Sequence, residues 1–192
     1  MEAERLVDSL LTVPIRPVTL VPRHVLLAAG AFEAGGHREA ARRSLARGIA
    51  WLESRPPDER ATPPQRLNLS LMLHAAGRHE EARRIAEQLV AADSTSVEFR
   101  AQLGLAAARL GDVRTAEQVD AWLARAPSPQ QFRNTHFRSR IAAALGKRRE
   151  AIALLEQGLR ETGYFGLVAL REHPDYAALR EDPEFERVVR VR

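Results

Sequence analysis

Residues 97–126 decide how this chain folds: V-E-F-R-A-Q-L-G-L-A-A-A-R-L-G-D-V-R-T-A-E-Q-V-D-A-W-L-A-R-A. On both sides of the pair Gly111-Asp112, apolar residues recur at spacings of three and four, which is typical of one buried helix face. Gly111 stands where the first helix would end, at a position that favours a residue able to adopt positive φ. The small residues Gly104 and Ala116 would let two helices approach closely. The stretch therefore predicts an antiparallel helix hairpin with a tight turn.

The same pattern recurs along the chain, which indicates an internal repeat. Each turn glycine is followed five residues later by an alanine, and the glycines are 42, 34 and 35 residues apart. The first interval is longer because a proline-rich loop at 55–64 is inserted there. The four pairs are Gly35/Ala40, Gly77/Ala82, Gly111/Ala116 and Gly146/Ala151. We predict four helix hairpins, over about 23–54, 63–92, 95–126 and 129–160.

The two ends of the chain differ from the repeats. Residues 1–22 predict a short amphipathic helix followed by a proline-rich connector, because prolines at this density favour an extended path. In residues 163–192, the run His173-Pro174-Asp175-Tyr176 is echoed nine residues later by Asp182-Pro183-Glu184-Phe185. Each run places an N-cap residue before a proline and predicts one short helix. We expect the two helices to cover the open end of the last repeat, with four apolar anchors: Tyr176, Leu179, Phe185 and Val188.

Capping sequences predict where the second, third and fourth hairpins begin. Thr62 precedes Pro63 and is followed three residues later by Gln65, which matches a capping box. Thr95 with Glu98 matches it at the next hairpin. The run 128–131, S-P-Q-Q, repeats the device at the fourth hairpin.

The composition is that of an all-α protein without cysteine chemistry. Ala, Leu, Arg and Glu are abundant, and all four favour helix. The absence of cysteine excludes disulfides, thiolate nucleophiles and zinc–sulfur sites. No apolar run has the length of a membrane span, and Glu2 and Glu4 stand where a signal peptide would carry positive charge. We therefore expect a cytoplasmic protein.

The net charge of +4 raises the question of a nucleic-acid partner. Most arginines lie near glutamates on polar helix faces, as at 80–84, E-E-A-R-R, where local pairing is favoured. No dense basic run with interleaved aromatic residues occurs. We therefore interpret the basic residues as a solvated surface and predict no nucleic-acid partner.

The sequence contains no constellation of residues that predicts catalysis. Neither H-E-x-x-H nor another metal-ligand spacing occurs among the six histidines. The pair Gly35-Gly36 is too short for a phosphate-binding loop. His37 and His79 fall in equivalent turns, and we interpret both as exposed turn residues. We predict that the protein is not an enzyme and has no catalytic residue, metal or cofactor.

The repeat resembles the tetratricopeptide repeat (TPR), a unit of 34 residues with a small residue at its eighth position and alanine at its twentieth. Over about 21–162 the eighth positions are Ala28, Ser70, Gly104 and Ser139, and the twentieth are Ala40, Ala82, Ala116 and Ala151. The sequence departs from the family at the eleventh position, where Ala31, Leu73, Ala107 and Ala142 replace an aromatic residue, and at Arg138, where the family has an apolar one. The resemblance implies a right-handed α-solenoid of about four TPR-like hairpins, with an N-terminal extension and C-terminal capping helices.

The C-terminal half also resembles the C-terminal TPR regions of large bacterial signalling proteins. The similarity lies in T-H-F-R-S-R-I-A-A-A-L-G, A-I-A-L-L-E-Q-G-L and the final H-P-D-Y-A-A-L-R-E-D-P-E-F. Such regions follow a protein kinase, a nucleotide cyclase or a DNA-binding regulatory domain, and the chain contains none of these domains.

The resemblance also implies a ligand-binding groove lined by the first helix of each repeat. The groove would be apolar toward its N-terminal end and basic toward its C-terminal end, which suits a peptide with hydrophobic anchors and an acidic end. The alternative for Arg133 and Arg140 is that they pair with neighbouring acids. The implied groove residues are Val25, Ala29, Phe32, Glu33, Leu67, Leu71, His74, Glu98, Ala101, Leu105, Arg109, Arg133, His136 and Arg140.

The function favoured by these observations is a non-catalytic scaffold or adaptor that binds a protein or peptide segment in that groove. One alternative is a regulatory segment of a larger bacterial signalling enzyme, such as a kinase, a cyclase or a transcription regulator. A second is an RNA-binding helical repeat that reads one base per unit, although four repeats are few for that. Self-association through the concave face is a further alternative.

Overall fold

The computed structural model describes residues 5, 7, 9, 11–12, 20–127, 131–162 and 173–190. Within these ranges the chain is helical and contains no strand, which confirms the predicted all-α class. The chain divides into two compact units, Met1–Ala92 and Asp93–Arg192. No helix in the described ranges has both the length and the apolar character needed to cross a membrane.

The first unit is built from two helix hairpins. Helix α1 packs on α2, α4 packs on α5, and α4 also contacts both α1 and α2. Val7, from the N-terminal segment, is buried in the core together with Ile49 and Met72. Most of the connector predicted within 1–22 lies outside the described residues, but its end was predicted wrongly, because residues 20–22 already belong to α1. The helices are α1 (Leu20–Ala34), α2 (Arg38–Glu53), α3 (Pro57–Arg60), α4 (Pro63–Ala75) and α5 (His79–Ala92).

The second unit contains two hairpins and two short helices that follow them. Helix α8 packs against its partner α9 and against both α6 and α7. A 3₁₀ helix packs on α8, and α10 packs on α9. The helices are α6 (Val97–Arg109), α7 (Val113–Arg125), α8 (Gln131–Ala144), α9 (Arg148–Thr162), the 3₁₀ helix (Pro174–Leu179) and α10 (Pro183–Val189).

The four hairpin turns share one hydrogen-bond geometry. A glycine with φ between +73° and +79° ends each first helix: Gly36, Gly77, Gly111 and Gly146. The next amide donates to the carbonyl five residues earlier, over 2.8 to 3.0 Å, in the pairs His37–Phe32, Arg78–Leu73, Asp112–Ala107 and Lys147–Ala142. This is the Schellman arrangement that ends a helix at a left-handed residue. The recurrence gives the repeat a common register.

The first hairpin differs by one residue from the predicted register. Gly36, and not Gly35, has the positive φ, because the amide of His37 bonds to the carbonyl of Phe32. The buried small residue five positions later is accordingly Ala41, and Ala40 is more exposed. Either glycine of the pair could serve in a tight turn, so only the bonding pattern decides between them. The shift moves the eighth position to Ala29 and the eleventh to Phe32, an aromatic residue.

The small residue at the eighth position determines how closely the two helices of a hairpin approach. The Ser70 hydroxyl donates to the Ala82 carbonyl over 2.8 Å, and the Ser139 hydroxyl donates to the Ala151 carbonyl over 2.7 Å. At Gly104 in the third repeat, an added Cβ would lie 2.7 Å from Val119. Both serines are buried, as is Gly104. The close approach of two helices predicted at Gly104 is confirmed, because a side chain there would have no room beside Val119.

Two of the three predicted capping boxes lie within the described residues, and in neither does the predicted threonine make the capping hydrogen bond. Thr62 is the N-cap of α4, but its hydroxyl donates to the Glu59 carbonyl at the end of α3. At α6 the N-cap is Ser96, whose hydroxyl accepts from the Phe99 amide over 3.4 Å. Thr95 bonds instead to the preceding Asp93 carboxylate. Local turns thus compete for the hydroxyls that the capping box requires, and Ser128 lies outside the described residues.

Both short helices predicted in 163–192 are present. Asp182 accepts from the amides of Glu184 and Phe185, as expected of an N-cap, and His173 accepts from the amide of Asp175. The first helix is a 3₁₀ helix. The four predicted anchors are buried in one cluster with Ile152, Leu155 and Leu159 of α9: Tyr176, Leu179, Phe185 and Val188.

Candidate protein-binding face

In the first unit, the predicted groove residues divide between the core and the surface. Val25 is fully buried and belongs to the hydrophobic core, while Phe32 packs against the edge of that core. The one-residue shift in register accounts for Val25, because one residue corresponds to a rotation of about 100° around a helix. Leu67 and Leu71 lie one turn apart on α4 and are partly buried. Leu27, on α1, is 63% exposed.

His74, at the end of the same row on α4, is buried. Its ring lies 5.0 Å from that of His79, centroid to centroid, in a tilted arrangement. His79 is therefore part of the hairpin packing and only partly exposed, whereas His37 is exposed as predicted. The apolar character expected of this face thus comes chiefly from Leu67 and Leu71.

In the second unit, Leu105 and Ala101 lie in the core. Both are fully buried in the cluster that includes Ile141 of α8. Helix α8 packs directly on α6, so the ninth position of the third repeat is covered by the next first helix. These two residues cannot contact a ligand in this structure.

Arg133 pairs with a neighbouring acid, which is the alternative considered for it above. Its guanidinium forms an ion pair with Glu98, across the space between α8 and α6. Both members were implied as groove residues, and the structure brings them together. The Arg133 side chain is 40% exposed, and an exposed pair of this kind contributes little to stability.

Arg109 and Arg140 converge on a single carboxylate that comes from the C-terminal segment. Arg140 donates from Nε to Oδ2 of Asp175 over 2.8 Å, and Arg109 donates from Nη2 to Oδ1 over 3.1 Å. The side chains of Asp175 and Arg140 are 3% and 8% exposed. A carboxylate so deeply buried needs charged donors to offset its desolvation. The pairing alternative therefore applies to Arg140 as well.

The residue after Asp175 is held by a relay of hydrogen bonds. The Tyr176 hydroxyl donates to Oγ of Ser139 over 3.0 Å, and Ser139 donates in turn to the Ala151 carbonyl. Burial raises the pKa of Tyr176 above its usual value, so the phenol stays protonated and acts as a donor. The Tyr176 ring is fully buried and lies 5.6 Å from the Phe185 ring.

His136 also lies beside Tyr176. Its Nδ1 lies 3.4 Å from the Tyr176 hydroxyl, and its ring lies 6.1 Å from that of His173. Burial, and secondarily the positive charge of Arg140, lowers the pKa of His136 to about 3, although Asp175 acts in the opposite direction. The imidazole is therefore neutral at physiological pH.

We name the residues of α6 and α8 that contact Asp175 and Tyr176 the Asp175 site: Arg109, His136, Ser139 and Arg140. Three of its members are residues that the TPR resemblance implied as ligand-facing. The sequence did not indicate that these side chains bind Asp175, because Asp175 and Glu184 hold the same place in the two echoed runs. Glu184 is exposed and forms an ion pair with Arg187, one turn along α10, over 3.8 Å. The sequence carries no feature that separates these two acids.

The described residues contain no group of three or more His, Asp or Glu side chains placed to hold a metal ion. Comparison of the chain with protein-family models, with curated proteins and with solved structures gives no match.

Proposed function

We propose that this chain is a non-enzymatic helical-repeat protein of the TPR type, which binds a segment of a partner protein on the face formed by the first helices of its hairpins. One observation carries the proposal. Residues Arg109, His136 and Arg140, which the resemblance implies as ligand-facing, contact a short acidic–aromatic segment of the chain itself. A face that holds one such segment through side chains has the chemistry to recognise another.

The recurring hairpin geometry supports the TPR part of the proposal. Four turns share the same bond from the residue after glycine to the eleventh position. The corrected register places Phe32 at the eleventh position of the first repeat, where the family carries an aromatic residue. The right-handed α-solenoid implied by the family is part of this proposal.

The first unit, taken by itself, carries apolar side chains on the first helix of its second hairpin. Leu67 and Leu71 are one turn apart on α4 and remain partly exposed. Apolar side chains at this spacing suit the anchors of a helical or extended peptide. We propose that they receive a hydrophobic residue of the partner.

An RNA-binding repeat has less support from the structure. Two arginines at the start of α5 and within it pair with acids one turn away: Arg78, which precedes α5, with Glu81 over 2.6 Å, and Arg83 with Glu87 over 2.9 Å. Phosphate contacts would require these guanidiniums to leave their carboxylates. A protein partner requires no such exchange.

Selection from a random displayed peptide library, with the full chain immobilised, tests the proposal. Selected peptides are then measured by fluorescence anisotropy against Leu67→Asp and Leu71→Asp. We expect each variant to weaken binding by about tenfold or more, because a carboxylate cannot pair within an apolar contact.

The matched control is Val113→Asp, which makes the same change at an exposed apolar residue on a second helix. It is expected to bind like the wild type, and circular dichroism checks that all variants are folded. Failure to select any peptide, or equal loss in the control, would contradict the proposal.

A further inference from the structure

The Asp175 site retains a net positive charge when its own segment is bound. Arg109 and Arg140 contribute two positive charges, Asp175 contributes one negative charge, and His136 is neutral. An incoming segment that carries a second acid would therefore neutralise the site more completely than the resident one.

The site is also open on one side. Arg140 is enclosed, but the Arg109 side chain is 31% exposed while it contacts Asp175. A guanidinium has five N–H donors in a fixed plane and accepts more than one carboxylate partner. A second carboxylate can thus reach Arg109 from solvent before Asp175 has left.

Residues 173–190 are held to the hairpins by two sets of contacts of different kinds. Residues 174–179 form a 3₁₀ helix, whose hydrogen-bond geometry is poorer than that of an α-helix, and their acid Asp175 is bound by α6 and α8. Helix α10 has further contacts of its own, with Phe185 buried against α9 as well as against Tyr176, and with Asp182 paired to Arg148. The contacts of α10 with α9 and Arg148 do not involve residues 173–176, so they would remain if that segment left its site.

We propose that residues 173–176 are an internal ligand, and that the Asp175 site binds an acid–aromatic pair of a partner segment when this ligand leaves. The proposal rests on the proposed function and names the partner's chemistry: an aspartate or glutamate followed by tyrosine, with a further acid before it. Asp175 and Tyr176 compete with that segment, so partner binding is restrained by the chain's own C-terminal region.

The first test asks whether the site recognises a carboxylate. In full-length Asp175→Ala, sodium formate is added at concentrations matched by sodium chloride, and thermal unfolding is followed. We expect formate to raise the unfolding temperature of this variant more than chloride does, because it restores a carboxylate between Arg109 and Arg140. The wild type and Glu184→Ala, the equivalent acid of the exposed echo, are expected to respond equally to both salts.

The second test uses a fluorescent peptide, acetyl-Glu-Pro-Asp-Tyr-Ala-Ala-Leu-amide. It is expected to bind Asp175→Ala at least about tenfold more tightly than the wild type, and the same peptide with asparagine for aspartate is expected to bind at least about tenfold more weakly. Adding Arg109→Gln to Asp175→Ala should abolish the difference between the two peptides. Should Asp175→Ala not fold, Asp175→Asn serves instead, since the amide keeps the side-chain volume.

Each outcome decides the proposal. Equal peptide binding by wild type and variant would overturn it, because the resident segment would then not compete. A response to formate without peptide binding would overturn the acid–aromatic partner. Neither result affects the Leu67 and Leu71 test, whose failure would instead contradict the scaffold function.

Discussion

The hairpin α4–α5 of the first unit and the hairpin α8–α9 of the second are built alike and present different faces. In both, a turn amide bonds to the eleventh position over 2.8 or 2.9 Å. In both, a buried serine donates to a carbonyl twelve residues later, Ser70 to Ala82 and Ser139 to Ala151. The framework of the repeat thus depends on a few small residues and one glycine.

The difference lies at the fifth and ninth positions. In α4 these are Leu67 and Leu71, which are partly buried and apolar. In α8 they are His136 and Arg140, which enclose a buried acid–aromatic pair. Since these side chains take no part in the turn or the serine bond, the face can change its chemistry without changing the hairpin.

The largest expected difference is at the ninth position. Arg140→Ala should lower the free energy of unfolding by about 3–5 kcal/mol, because it removes one of the two guanidiniums that contact the buried Asp175 carboxylate. Leu71→Ala should cost about 1–1.5 kcal/mol, since its side chain is only partly buried. Urea denaturation measures both. Arg133→Ala, which breaks an exposed pair, should cost less than about 1 kcal/mol, and equal losses in all three would remove the contrast between the faces.

At the fifth position, α8 has the titratable His136 where α4 has Leu67, so this position of α8 should make the free energy of unfolding depend on pH. The pKa of His136 is lowered to about 3 in the folded state, so below pH 6.5 the unfolded chain binds a proton that the folded chain does not. Stability is therefore fully present above pH 6.5 and falls toward pH 3, by up to about 1.4 kcal/mol per pH unit. The groups facing this imidazole are Arg140, Asp175, Tyr176 and His173.

Urea denaturation of the wild type and His136→Gln between pH 4.5 and 7.5 checks this sign. The variant should lose up to about 2.7 kcal/mol less than the wild type between pH 6.5 and 4.5. Parallel pH profiles would mean that His136 is protonated equally in the folded and unfolded states.

The hairpin α6–α7 extends the comparison, because its eighth position is Gly104. An added Cβ there would lie 2.7 Å from Val119 and 2.8 Å from Ile141, so Gly104→Ala should cost about 1–3 kcal/mol by overpacking. Gly158→Ala in α9 is the matched control: its nearest contacts are at 3.7 Å, and the gain in helix propensity should stabilise it by about 0.5–1 kcal/mol. Thermal melts of both variants measure the difference, and a neutral Gly104→Ala would contradict the close approach of α6 and α7.

The smallest expected difference is between the two equivalent serines. Ser70→Ala should cost about 1 kcal/mol for one lost hydrogen bond. Ser139→Ala should cost about 2 kcal/mol, because the buried Tyr176 hydroxyl also loses its acceptor. Urea denaturation of both variants compares them directly. Equal costs would show that the Tyr176 bond contributes nothing to stability.

The hairpins, their glycine turns and the short helices before Tyr176 and Phe185 were predictable, because helix periodicity and proline or glycine positions act within a few residues. The choice between Gly35 and Gly36 was not, since both satisfy the local requirement and the hydrogen bond to Phe32 decides. The capping boxes failed for a similar reason, as Thr62 and Thr95 each had a nearer partner.

The sequence could predict which residue types occur on the candidate face, but not which of them are buried or what they contact. The TPR resemblance implied Arg109, His136 and Arg140 without any indication that Asp175 lies between them, 66 and 35 residues away along the chain from the two arginines. The burial of Val25 and Leu105 likewise depends on which helix covers them.

The amino-acid sequence by itself determined the all-α class, the repeat and the positions of its turns, because these follow from local conformational preference and apolar spacing. The tertiary structure alone decided which charges meet. Whether Asp175 is buried between two guanidiniums while its counterpart Glu184 stays exposed depends on the distance and desolvation of side chains far apart in the chain, and no local pattern of residues encodes that.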